Sequence, residues 1–175
     1  MTFQELIKDA PLIIQRKLEQ LKFLRERPDY HPEPSAFHHI KIVTERLEPT
    51  NNPNLILSGI LHDICKFDTV EMNPKTGYPR SPGHDDSAFE LIVNNMLVRQ
   101  FCVNNGADLN QVALICKYHM RFHQLGKMKP AKREKTIEDW IELGIWEDLK
   151  IFGAADNMLV DFDLSNLDKS WKSHN

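Results

Sequence analysis

Residues 51–67 read NNPNLILSGILHDICKF, and from Leu55 onward the run is apolar on almost every face a helix would present. A helix of that kind has to lie at the centre of a protein, wrapped by others. The Asn/Pro cluster ahead of it is a helix start signal.

The flanking segments supply the wrapping. Residues 3–26 carry Leu and Ile at helical spacing, and Pro11 is expected to break or kink that run. Residues 27–35, RPDYHPEPS, hold three prolines and read as a rigid extended connection. SAFHHIKIVTERL resumes an amphipathic helix with Ser35 as its N-cap. A long helix is predicted over 84–105 through Ala88, Leu91, Ile92, Met96, Leu97 and Phe101, and another from about Asn110. After a basic turn, two short helices divide at Gly144, with Thr136 and Asp139 spaced as a cap and its acidic partner.

No stretch alternates long enough to make a sheet. The expectation is an all-α domain spanning residues 1–175, a bundle of six to eight helices with a core over about 30–160 and a polar, fraying tail at 166–175. Residues 66–84, with three prolines, two glycines and no periodicity, form a loop long enough to suggest a lid or part of a site.

Composition narrows the class. The chain is 41% hydrophobic and 27% charged, with a net charge of -3, which gives no global case for nucleic-acid or membrane binding. Cys65, Cys102 and Cys116 are widely spaced within apolar patterns and read as small buried side chains in a reducing compartment. Charges arrive too early at the N-terminus for a signal peptide, and no apolar run is long enough to span a bilayer, so a cytoplasmic protein is expected.

Against that background His62 and Asp63 stand out, a polar pair expected in the middle of the most apolar helix. A divalent ion would account for it: imidazole offers a lone pair, carboxylate offers oxygens, and the cation offsets the cost of burying charge. Further ligands would come from His39, Asp156, His84, His119 and His123, and the last two share a helix face.

Taken in order, YHPEPSAFHHIKIV, LHDICKFDT, GHDDSA, KYHMRFH and AADNML resemble the HD-domain superfamily of metal-dependent phosphohydrolases. The pattern is most similar to the HD domain of bacterial tRNA nucleotidyltransferases. The resemblance implies a compact HD-domain helical bundle and a metal held by His39, His62, Asp63 and Asp156. His39 is the sixth residue past Glu33, which selects it over His38. The same resemblance implies catalytic roles for Asp63, Lys66, His84, His119 and Arg121, with a second ion near His84 and His119 as an alternative. Ile40 stands where relatives have Ser or Thr and Asp85 where they have Glu, which bears on substrate choice. No nucleotidyltransferase or separate RNA-binding segment precedes the match, so the resemblance does not imply nucleotide transfer.

The implied activity is metal-dependent hydrolysis of a phosphomonoester or cyclic phosphodiester on a nucleotide-like substrate. The ion could be manganese, magnesium, cobalt, nickel, zinc or iron. Residues 117–135 carry seven Lys or Arg against Glu134 alone, a field that would draw a phosphorylated substrate, to which Lys41 and Arg80 add. The expected partner is a small nucleotide; an RNA end and a homodimer stay open, and a membrane does not. The competing class is a non-catalytic or regulatory HD module that binds a nucleotide or a protein, and an oxygen-activating iron site is a remoter one.

Overall fold

A computed structural model of the chain describes residues 1–159 and 162–164. Thr2 opens it with a reciprocal cap, its hydroxyl accepting from the Glu5 N–H while the Glu5 carboxylate accepts from the Thr2 N–H. Helix α1 (Phe3–Asp9) stops where Pro11 enters, and α2 (Leu12–Leu21) follows at once. The Phe3 N–H donates to Glu48 at 2.7 Å, and the Ala36 N–H donates to the Leu24 carbonyl at 2.9 Å. These two bonds tie the N-terminal helices to α3 (Ala36–Leu47).

α4 (Pro53–Leu61) is the central helix, every residue from Leu55 to Leu61 being buried. It packs on α3, on α7 (Leu109–Phe122) and on α9 (Trp146–Asp156). Its approach to α3 depends on Gly59, where a Cβ would lie 2.9 Å from Thr44 Oγ1 and 3.0 Å from Thr44 Cα. α5 (His84–Asn94) lies along α7, followed by α6 (Met96–Asn104), and α8 (Pro130–Glu142) packs on α9.

The described residues thus form an all-helical bundle of nine α-helices, more than the six to eight expected. The difference arises at Asn95. Its backbone turns extended, and its side chain accepts from the N–H groups of Leu97 and Val98, so the run over 84–105 ends one helix and caps the next. The first run ends at Leu21 rather than at residue 26.

Three other expectations need correcting. α8 begins at Pro130, so Thr136 is not a cap but a buried mid-helix residue whose hydroxyl accepts from Arg121 at 3.0 Å. The 66–84 segment contains a short antiparallel hairpin, β1 (Glu71–Met72) with β2 (Pro79–Arg80), exposed and closed by an Arg80–Glu71 ion pair at 2.6 Å. The His62–Asp63 pair is not in the middle of a helix: α4 ends at Leu61 and the chain leaves it in successive tight turns through Asp68.

All three cysteines are free and buried, and burial pushes the Cys65 and Cys102 thiols up to about 12. The tail at 166–175 lies outside the described residues. Among those described, no helix is long and apolar enough to cross a membrane.

Candidate metal centre

Five elements deliver side chains to one buried point. His39 comes from the first turn of α3, His62 and Asp63 from the turn just past the end of α4, His84 from the first residue of α5, His119 from α7 and Asp156 from the last residue of α9. All six are buried. Arg46 fixes the position of Asp156 by donating to the carbonyls on either side of it, Ala155 at 2.9 Å and Asn157 at 3.0 Å. These are helix C-terminal carbonyls, which a guanidinium satisfies well.

The imidazoles are held in one tautomer. His62 Nδ1 donates to the Gly59 carbonyl at 3.0 Å, His84 Nδ1 to Ser81 at 2.7 Å and His119 Nδ1 to Cys116 at 2.6 Å. A carbonyl only accepts, so each Nδ1 carries the proton and each neutral ring presents a lone pair at Nε2. His39 Nδ1 is held in the same way by Glu33 Oε1 at 2.6 Å.

Those Nε2 atoms face each other in two pairs. His39 and His62 are 3.3 Å apart, and His84 and His119 are 3.2 Å apart. Asp63 stands between the pairs: Oδ2 is 3.5 Å from His39 Nε2 and 3.2 Å from His62 Nε2, while Oδ1 is 3.0 Å from His84 Nε2 and 3.6 Å from His119 Nε2. Asp156 Oδ1 completes the first group, 2.8 Å from His39 Nε2 and 3.5 Å from His62 Nε2.

Neutral rings with facing lone pairs cannot bond each other. The buried Asp63 Oδ1 makes no hydrogen bond although His84 Nε2 is close. Converging nitrogen lone pairs and carboxylate oxygens, one of them unsatisfied in the interior, fit divalent cations. The arrangement suits one ion among His39, His62, Asp63 and Asp156, and a second against Asp63, His84 and His119.

Without a cation, protons balance the charge. Burial alone would lower His39 and His62, but the hydrogen bonds that His39 donates to Asp156 and Glu33 carry it up to about 9, and the charges of Asp63 and Asp156 carry His62 up to about 10. Burial opposes ionisation of the carboxylates as well; His62 and Lys66 nevertheless hold Asp63 well below the usual range, and His62 with His123 and His39 does the same for Asp156. Burial lowers His119.

Other sequence-selected residues support this centre or stand outside it. Lys66 is buried with its ammonium 2.8 Å from Asp63 Oδ2 and 2.6 Å from Glu26 Oε1, so it holds a ligand candidate in place and is not turned toward solvent. His119 and His123 do not act as one pair: His123 Nε2 reaches Asp156 Oδ2 at 2.7 Å while His119 faces His84. Arg121 is exposed and engaged by Thr136. Lys41 pairs with Glu45 at 3.5 Å.

Sequence reasoning missed the partner that fixes His39. Glu33 appeared only as a motif letter, yet its carboxylate sets that tautomer, and its contacts with His31 and His39 overcome burial and bring it down to about 2. Glu26, which anchors Lys66, carried no signal at all beyond its place at the end of an amphipathic run.

Comparison with known proteins gives a partial match. The chain is 30% identical over 105 residues to a protein named Multifunctional CCA protein in Neisseria meningitidis serogroup B (strain MC58), covering 59% of this chain and 24% of that one. The protein of the same name in Methylobacillus flagellatus is 27% identical over 125 residues, covering 70% of this chain and 28% of the relative. The chain therefore spans about a quarter of the length of these relatives. No family model and no solved structure matches.

Proposed function

We propose that this chain is a metal-dependent phosphohydrolase of the HD type, cleaving a phosphomonoester or cyclic phosphodiester of a nucleotide-like substrate. The observation that carries the reading is the set of two facing imidazole pairs with Asp63 between them. The HD-like order of motifs and the similarity to multifunctional CCA proteins point the same way.

The bound ions would lower the pKa of water and polarise the phosphoryl group. The protein's own residues do the rest. Asp63 holds both halves of the centre at a fixed separation, with Lys66 gripping its Oδ2. His39 and Asp156 close one side, each tied from behind, by Glu33 and by His123.

In the reaction a water oxygen bonds to phosphorus and its proton passes to solvent, the bond from phosphorus to the leaving oxygen breaks, and that oxygen takes up a proton. His84 and His119 face Asp63 and are committed to the centre. Our candidate for handing over that proton is His123, whose side chain is 33% exposed and whose Nε2 is already bonded to Asp156.

The test is turnover by purified protein stripped with chelator and reloaded with manganese, cobalt, nickel, zinc, iron or magnesium in turn. Nucleoside monophosphates and 2',3'-cyclic phosphates are the substrates, and Asp63→Ala protein is the background. Release of phosphate, or opening of the cyclic ester, that depends on metal and on Asp63 supports the reading. Stoichiometric metal with no turnover of any of them would leave a binding module instead.

A further inference from the structure

Five buried side-chain polar atoms among the described residues make no hydrogen bond, and three of them lie together: Glu26 Oε2, His31 Nδ1 and Glu33 Oε2. His31 Nδ1 is 3.8 Å from the unpartnered Glu26 Oε2 and 4.0 Å from Glu33 Oε1, the oxygen that His39 holds. Both gaps are too long for a direct bond, and the first, between two unpartnered atoms, is short enough for one oxygen to hydrogen-bond to both.

The cluster is rigid and adjoins the metal centre. Glu26 Oε1 is held by Lys66 at 2.6 Å and Glu33 Oε1 by His39 at 2.6 Å, so each carboxylate turns its second oxygen free. The His31 ring meets the His39 ring edge-on at 4.8 Å. The Glu33 side chain is only 4% exposed, whereas that of His31 is 27% exposed, so the cluster opens outward at His31.

Two carboxylates repel a phosphate, so the phosphoryl group does not bind here. They accept hydrogen bonds, and His31 N–H donates one. A hydroxyl is the group that gives a proton to a carboxylate while receiving one from an imidazole. Two unsatisfied carboxylate oxygens suit two hydroxyls.

We propose that Glu26, His31 and Glu33 form a subsite for the hydroxyls of a sugar attached to the phosphoryl group, selecting ribose over its deoxy forms. The assignment rests on the phosphohydrolase reading for the placement of the phosphate.

The experiment compares the four ribonucleoside 5'-monophosphates with their 2',3'-dideoxy counterparts, measured as kcat/KM in metal-loaded protein and as Kd in metal-free protein. Loss of hydrogen bonds to charged groups predicts a preference for the ribose form of at least about tenfold. His31→Ala, and separately the nearly isosteric Glu26→Gln, should each compress the ratio to within about twofold of one.

Equal handling of both sugars by the unaltered protein, or a preference that survives both substitutions, would overturn the subsite, leaving a region filled by water alone. Ribose-selective binding lost in His31→Ala without turnover of any phosphate ester would keep the subsite and remove the phosphohydrolase reading.

Discussion

His39 Nε2 and His62 Nε2 face each other at 3.3 Å across the α3–α4 contact, each ring fixed from behind by an acceptor on its Nδ1. The same relationship recurs between His84 and His119 on α5 and α7. Two such pairs sharing one carboxylate are expected to bind about two divalent ions per chain. Replacing His119 with Ala should remove the ion on the Oδ1 side of Asp63 and leave the other, taking the stoichiometry from about two to about one. Elemental analysis after equilibrium dialysis checks this; loss of both ions together, with the fold intact, would show that the halves are not separable.

Protons and metal compete for the same atoms. With His39 near 9 and His62 near 10 in the metal-free protein, both are charged at neutral pH, and their two positive charges balance Asp63 and Asp156. A divalent ion takes the place of those two protons. Calorimetric titration of metal at pH 7.5 in buffers of different ionisation enthalpy should therefore report release of up to about two protons per first ion bound, with affinity rising as pH rises. A binding enthalpy independent of buffer would contradict it.

The same shifts fix the pH dependence of the metal-free fold. A histidine raised from about 6.5 in the unfolded chain to about 9 or 10 stabilises the fold fully below pH 6.5, and that contribution is lost as pH rises through 9 and 10. Depressed carboxylates act oppositely: Asp63 and Asp156 contribute above about pH 4 and lose that contribution on acidification. Metal-free protein should be most stable between about pH 4 and 6.5 and weaken toward pH 10. Saturating metal should raise Tm, and by more at pH 8 than at pH 6. Thermal melts across that range, with and without metal, measure both effects.

Glu33 acts on the ion through His39. Glu33→Gln keeps the shape but can present an amide N–H to Nδ1, favouring the tautomer whose proton sits on Nε2. Metal affinity should fall by about 10- to 100-fold, as for other changes behind a metal-bound histidine. Competition against a chromogenic chelator gives the number. Affinity unchanged within about twofold would mean that the Glu33 contact does not hold the ring.

The helices were legible because their signals are local. Pro11 ended α1, and the apolar run at 55–61 could only be central. What sequence could not show was which polar side chains would find partners, whether close by or across the bundle. Asn95 has no special marking in a run of helical periodicity, yet its carboxamide is the cap of α6. The His62–Asp63 pair gave no sign that the helix would end just before it, because Ile64 and Cys65 continue the apolar pattern through the turns that follow. The six clustered side chains could be selected from motif order, but Glu26 could not, since its meaning comes from Lys66, forty residues away.

Gly153 sets the distance between α7 and α9, and with it the bond from His123 to Asp156. A Cβ at Gly153 would lie 2.1 and 2.3 Å from Phe122 ring carbons, far inside contact distance. The ring cannot retreat freely, because Trp140 stacks against it at 6.2 Å and Trp146 flanks it at the same distance. Gly153→Ala should therefore push the helices apart and cost about 1–3 kcal/mol, the usual penalty of overpacking. His123 adjoins Phe122, and Asp156 lies one turn beyond Gly153, so the 2.7 Å bond between them stretches with the helix separation. Metal affinity should drop along with Tm. Ala154→Gly, at the half-buried neighbouring position, supplies the contrast: it should cost only about 1 kcal/mol of helix propensity and leave the metal in place. If Gly153→Ala bound metal as tightly as the unaltered protein, Phe122 would have to swing aside, and the spacing of α7 and α9 would not be what holds Asp156 to its ion.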